Sequence, residues 1–325
     1  MIVPQYWAES RLQHRSKGRQ VTVRRFGWSD TSRTEAQANA DVRANEALRR
    51  MLNGEKLPSR DPKIPYNGAQ GVPIREEIVS RHGETIITRN SYGARCLNTP
   101  NVFFADIDFQ CEPSFRFACG VFGLLLLCAV ISGWIADAKV VGVILAFLAL
   151  VFTNVISKTL HAAIQKASGG QERAARNRID RFLAQHPEWN LRLYRTPAGM
   201  RVLATHRTFS PGDPEVAECF RELHADSVYI AMCRNQECFR ARVSAKPWRI
   251  GITTHMRPRP GVWPIAPERM PMRNAWIAEY EAAAKNFAAC TLLESIGSGA
   301  MNLEAKAVLE LHDELCAATS NRPIA

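Results

Sequence analysis

Two uncharged apolar runs dominate the pattern of hydrophobic and polar positions. Phe117–Ala136 (FACGVFGLLLLCAVISGWIA) and Val140–Ser157 (VVGVILAFLALVFTNVIS) are separated only by Asp137-Ala138-Lys139. A helix crossing the hydrocarbon core needs about 20 apolar residues, and shorter spans are tolerated. Neither run has the polar stripe of a surface helix, and one continuous buried helix would leave Asp137 and Lys139 in the core. The pattern predicts a transmembrane helical hairpin over 117–157 with a tight polar turn. Arg116 precedes it, and Lys158, Lys166, Arg173, Arg176 and Arg178 follow it. Cation-rich flanks stay on the cytoplasmic side, so the expectation is a bacterial inner-membrane protein with both termini cytoplasmic. Gly120, Gly123 and Gly142 either let the helices approach closely or reflect ordinary transmembrane composition.

Elsewhere the periodicity is mixed. Gln20–Phe26 alternates as a strand, and Ser32-Arg33-Thr34-Glu35 fits a capping box opening a helix to about Leu52, with Gly54 as its stop. The apolar stripe of that helix is mostly alanine, suited to close packing, with Arg43, Arg49 and Arg50 expected in solvent. Residues 57–72 read as a loop, 74–81 as a short helix, and 84–89, 94–97 and 101–109 as strands. Beyond the apolar hairpin the pattern gives a helix over 171–185 and a strand pair at 191–196 and 200–206. A helix from Asp213-Pro214 to about Ala225 follows, then strands at 227–233 and 238–245 and a proline-rich extended stretch over 257–272. Two terminal helices, 274–296 and 302–318, break at Gly297-Ser298-Gly299. This order predicts an α+β fold, a mixed sheet with flanking helices interrupted by the transmembrane hairpin. The segments are 1–60, a strand and helix; 61–116 and 158–255, two parts of one cytoplasmic α+β domain around the hairpin at 117–157; and 256–325, a helical region.

Composition refines this picture. The 325 residues are 46% hydrophobic and 22% charged, which excludes a disordered chain, and the mean hydropathy of -0.19 excludes a polytopic transporter. A net charge of +11 favours polyanionic partners: nucleotide, nucleic acid or anionic lipid, besides the bilayer itself. The 9 cysteines are irregularly spaced and read as reduced, buried thiols rather than a zinc motif. No apolar core of signal-peptide length occurs in the first 20 residues.

Candidate chemistry centres on Asp106 and Asp108. Alternation on a strand projects both from one face, about 7 Å apart at Cα, a spacing that can share Mg²⁺ or Mn²⁺ or simply meet solvent or a basic neighbour. His206 ends its strand as either a structural histidine or a phosphate-binding or proton-transfer group, and Asp226 is either a third carboxylate or a turn residue. Arg240, Arg242, Ser244 and Lys246 form a polar row followed by Arg249, with Arg195 and Arg201 on the neighbouring strand pair. The arginines and Lys246 suit phosphate oxygens or a solvated edge.

The order ADIDF, YRTPAGMRVLATH, a later Asp and FRARVSAKPWR resembles the archaeo-eukaryotic primase superfamily, which includes the primase-polymerases. The resemblance covers about half of the chain. It implies a metal-binding acid pair at Asp106 and Asp108, a nucleotide-phosphate histidine at His206 and a third metal ligand at Asp226. The chain departs from that family in carrying an apolar hairpin between the first two motifs and in placing Asp226 ahead of its strand. As a whole it also resembles bacterial proteins with two transmembrane helices, which implies location but no chemistry. Two functions follow as expectations: a binding or docking module at the inner leaflet, or a metal-dependent nucleotidyltransferase or nucleic-acid-binding domain.

Overall fold

A computed structural model describes residues 3–16, 19–61, 72–109, 112–259, 263–297 and 299–325. The chain divides into two compact units, one made of 1–106, 186–197 and 201–325, the other of 107–185 with 198–200. In chain order the elements are β1 (Tyr6–Ser16), β2 (Arg19–Ser29), α1 (Arg33–Leu52), β3 (Glu77–His82), β4 (Thr85–Arg89), β5 (Arg95–Thr99) and β6 (Phe104–Asp108). Then come α2 (Phe115–Ile135), α3 (Lys139–Ala167), α4 (Gly170–Gln185), β7 (Leu191–Arg195) and β8 (Gly199–Ala204). The remainder is α5 (Pro214–Glu222), α6 (Ser227–Gln236), β9 (Phe239–Arg242), α7 (Met270–Ala284), β10 (Thr291–Ile296) and α8 (Leu303–Cys316).

The fold is α+β, but the expected single mixed sheet is replaced by three. β1 and β2 form an antiparallel ribbon, β3-β4-β5-β9 a four-stranded antiparallel sheet, and β10-β7-β8-β6 a second four-stranded sheet. Strands before and after the apolar hairpin therefore share sheets: β6 neighbours β8, and β5 pairs with β9.

In the first unit, α1 begins where the capping signal placed it. The Ser32 hydroxyl accepts from Glu35 N at 3.1 Å, while the Glu35 carboxylate accepts from the Ser29 hydroxyl. Its alanines at 36, 40, 44 and 47 are buried, and a β-carbon at Gly27 of β2 would run into the backbone of Ala36 and Ala40. Small residues on both sides thus set the close helix–ribbon approach. Arg43 is not solvated as expected: it donates to Phe26 O and Asp61 and lies over the Trp28 ring. The aromatic centre is Phe103, whose ring lies 5.1–5.6 Å from those of Phe220, Phe239, Phe209 and Trp189.

The second unit contains α2, α3 and α4. Helices α2 and α3 have mean hydropathies of 2.3 and 2.5, and only 11% of either apolar window is buried, so their greasy surface faces outward. The 21 residues of α2 span about 31 Å, enough for a hydrocarbon core of about 30 Å. Both helices are therefore long and apolar enough to cross a membrane. They meet closely beside their turn, where a β-carbon on Gly133 would lie 2.9 Å from Gly142 Cα, whereas one on Gly120 or Gly123 would meet nothing. Asp137 makes the turn in the left-handed region, φ 47°.

Several local expectations were displaced. The 74–81 helix is instead the approach to β3, with Glu76 drawn into a buried ion pair. The 227–233 strand is helix α6, because Asp226 caps it and the short apolar run fits either period. The long helix expected at 274–296 ends at Ala284 and is followed by β10. Most of the expected 57–72 loop, at 62–71, lies outside the described residues, as do 260–262 of the proline-rich stretch and Ser298.

Candidate functional site

The alternation of β6 turns Asp106 toward Arg201 of β8. The Arg201 guanidinium, 3% exposed, grips the Asp106 carboxylate through two bonds, Nε to Oδ1 at 2.7 Å and Nη2 to Oδ2 at 3.1 Å. Its third arm, Nη1, donates to Arg242 O at 3.0 Å and lies 3.3 Å from His312 Nε2. Burial works against the Arg201 charge, but the Asp106 carboxylate more than compensates and holds it protonated. Arg201 is thus buried, while the Asp106 side chain stays 31% exposed.

The other expected residues are dispersed. Asp226 N donates to Asp106 O at 3.0 Å, which brings the two backbones together, but the Asp226 carboxylate accepts from Val228 N and Tyr229 N as the cap of α6. Asp108 is exposed at the end of β6. His206 packs among aromatics, 4.8 Å from the Trp189 ring and 5.5 Å from Phe209, and its Nδ1 accepts from Asn190 N. Burial, and then the charge of Arg207, holds its pKa below the ordinary value. Among the described residues one group of three metal-type ligands converges, and it is not this set of acids.

The cationic row is largely internal too. Arg240 is buried against Glu76, with Nη2 at 2.7 and 2.9 Å from the two carboxylate oxygens, and its Nη1 donates to Asn98 Oδ1 at 2.8 Å. Ser244 is buried and bonded to Arg95 N and Tyr280. Arg242 is half-buried, Arg195 donates to Thr196 O, Lys246 lies 5.4 Å over the Trp248 ring, and Arg249 closes a short 3-10 turn after it. The strand expected over 238–245 is shorter, β9 ending at Arg242, so Ser244 and Lys246 lie beyond it, and Phe239, Arg240 and Ala241 are all buried.

The converging group is Cys290, His312 and Cys316, all fully buried, with ligand atoms within 4.8 Å of one another. His312 and Cys316 lie one turn apart on α8, and Cys290 directly precedes β10. His312 Nε2 is 3.5 Å from Cys316 Sγ and 4.0 Å from Cys290 Sγ. On the opposite ring edge Nδ1 lies 3.0 Å from Asp313 Oδ1, which also accepts from Tyr194 Oη at 2.6 Å, while Arg192 holds Oδ2 at 3.0 Å. Hydrogen bonding from Cys316, opposed by burial and aided by His312, pushes the Cys290 thiol down. Burial disfavours the His312 cation, but Asp313 and then Cys290 raise its pKa. The residue pair His-x-x-x-Cys was the only sequence trace of this cluster.

A second feature escaped the sequence reading. A cavity of about 290 Å³ in the first unit is lined by Arg24, Arg60, Arg75, Arg259 and Arg269 against Glu9 and Asp61, with Phe26 in its wall. Five guanidiniums and two carboxylates leave a formal +3. Both acids are already engaged: Glu9 with Arg24 at 2.6 Å, Asp61 with Arg43 at 3.3 Å and Arg25 at 3.6 Å. Arg75 is stacked 3.5 Å over Phe26 and anchored on Trp263 O at 2.8 and 3.1 Å. Burial brings it down to about 10, so it stays charged at neutral pH. Among the described residues no carboxylate is in ion-pair range of it. The signal was the arginine spacing in RPRPGVWPIAPER, which meets Arg24 and Arg75 only in three dimensions.

The chain matches no protein-family profile, no curated protein and no solved structure.

Proposed function

We propose that this is a membrane-anchored binding module that takes a small phosphate-bearing anion into the arginine-lined cavity. The observation that carries the reading is Arg75, a half-buried guanidinium held by a carbonyl and a ring, on which Glu9 and Asp61 act only from beyond ion-pair distance. A charge withdrawn from water is costly unless paired, and guanidinium forks match phosphate oxygens. The cavity's 290 Å³ lies at the lower end of small-ligand sites, which fits a di- or triphosphate, a nucleotide or one lipid headgroup rather than a polymer. The hairpin supplies the anchor. Arg116 on one flank and Lys158, Lys166 and Arg173 on the other favour a topology with both soluble flanks in the cytoplasm of a bacterium and only the turn across the inner membrane. A nucleotidyl-transfer reading draws less support, because Arg201 and the α6 cap already occupy the carboxylates of Asp106 and Asp226.

The test is calorimetric titration of the detergent-solubilised full chain with pyrophosphate, a nucleoside triphosphate and a soluble inositol phosphate. At least one should bind, more weakly as salt rises, and Arg75→Met should weaken it about tenfold to a hundredfold, the value of a charged hydrogen bond or two. No binding by any of the three, or unchanged affinity in Arg75→Met, refutes the reading.

A further inference from the structure

We propose that Cys290, His312 and Cys316 form a zinc site that fastens β10 to the carboxyl-terminal helix α8. Zinc bonds of about 2.3 Å to sulfur and about 2.0 Å to nitrogen in tetrahedral array require S···N separations near 3.6 Å and an S···S separation near 3.8 Å. The observed 3.5 and 4.0 Å from His312 Nε2 to the two sulfurs, with all three atoms inside 4.8 Å, already approach that triangle.

The surroundings are those of a ligated histidine. The Asp313 carboxylate accepts a hydrogen bond from Nδ1–H, and Tyr194 and Arg192 hold that carboxylate in turn, so Nε2 is the ring nitrogen left without a proton on the side of the sulfurs. Arg201 Nη1, 3.3 Å from the same nitrogen, is the donor that a metal would displace from its lone pair. When zinc binds, Nε2 turns its lone pair to the metal and Nη1 retains Arg242 O at 3.0 Å.

Charge balance selects a dication. Two thiols lose their protons to solvent, and two thiolates neutralise Zn²⁺. The adjoining Arg201–Asp106 and Arg192–Asp313 pairs are each neutral, so the buried site carries no net charge. A monovalent soft cation would leave one negative charge there. Three protein ligands leave one corner for a water. All three ligands are buried, which keeps substrates out and makes the ion structural.

The experiment uses the full-length chain purified under reducing conditions with zinc, then dialysed. About one zinc per chain is expected, and removing it with a strong chelator should lower the melting temperature reversibly. Cobalt in its place should give a thiolate-to-cobalt charge-transfer band in the near ultraviolet. Cys316→Ser and His312→Gln should each lose the metal. Folded wild-type protein that holds no zinc and gives no cobalt band overturns the proposal, even if both variants fail to fold. So does thiol titration of the native chain that finds Cys290 and Cys316 already joined as a disulfide, or a Cys290→Ser variant that keeps full stoichiometry.

Discussion

Replacing Arg240 with methionine separates a phosphate-binding cation from a structural one. Its side chain is 3% exposed and that of Glu76 8%, with two Nη2–carboxylate contacts of 2.7 and 2.9 Å. Arg240→Met leaves the Glu76 carboxylate in the interior with the Thr88 hydroxyl as its remaining described side-chain donor, at 2.6 Å. Orphaning one partner of a buried pair costs about 3–5 kcal/mol. At about 2–4 °C per kcal/mol for a unit of this size, the melting temperature should fall by about 6–20 °C. Glu76→Leu added to Arg240→Met removes both charges and should restore most of that loss, since an apolar pair of similar volume is often neutral. Scanning fluorimetry of the four proteins in one detergent measures the cycle. A drop under about 2 °C in Arg240→Met, or a double variant whose loss equals the sum of the singles, refutes the assignment.

Four further outcomes are expected. Asp226→Ala should cost about 1 kcal/mol by denaturant titration while Asp226→Asn costs little, as for a helix cap; equal large losses would contradict that role. Gly27→Ala should destabilise by about 1–3 kcal/mol because its new carbon meets backbone, whereas Gly120→Ala, facing open space, should change little. His206 titrates below its ordinary value, so the unfolded chain binds its proton first and stability falls as pH drops through about 6.5 and then the native value; a His206→Phe variant should show a flatter melting profile between about pH 7 and about pH 5. Asp137→Cys should react with an impermeant maleimide added outside spheroplasts, and labelling only after lysis would reverse the proposed topology.

What the sequence disclosed follows the range of the forces involved. Local signals worked: Ser32 and Glu35 opened α1, Asp213-Pro214 marked the start of α5, and the apolar runs located α2 and α3. Misreadings arose where a short apolar segment suits both periods. The run SVYIAMC became helix because Asp226 caps it, and TLLESI became strand because it pairs with β7. Partner choice was not local at all. Nothing near Arg240 announces Glu76, 164 residues away, nor does Arg201 announce Asp106, 95 residues away. The Cys290 cluster and the arginine cavity lay hidden for the same reason.

The pairing of β6 with β8 and of β5 with β9 bears on how the protein is made. Some 90 residues separate Asp108 from Gly199, so at about 5–20 residues per second a ribosome needs roughly 5–18 s to supply the second edge of that interface. In the proposed topology the greasy hairpin emerges during this interval, while the amino-terminal strands still lack their neighbours. If the hairpin inserts as proposed, insertion would precede closure of both four-stranded sheets, and a delay at the translocon would prolong the exposure of unpaired strand edges.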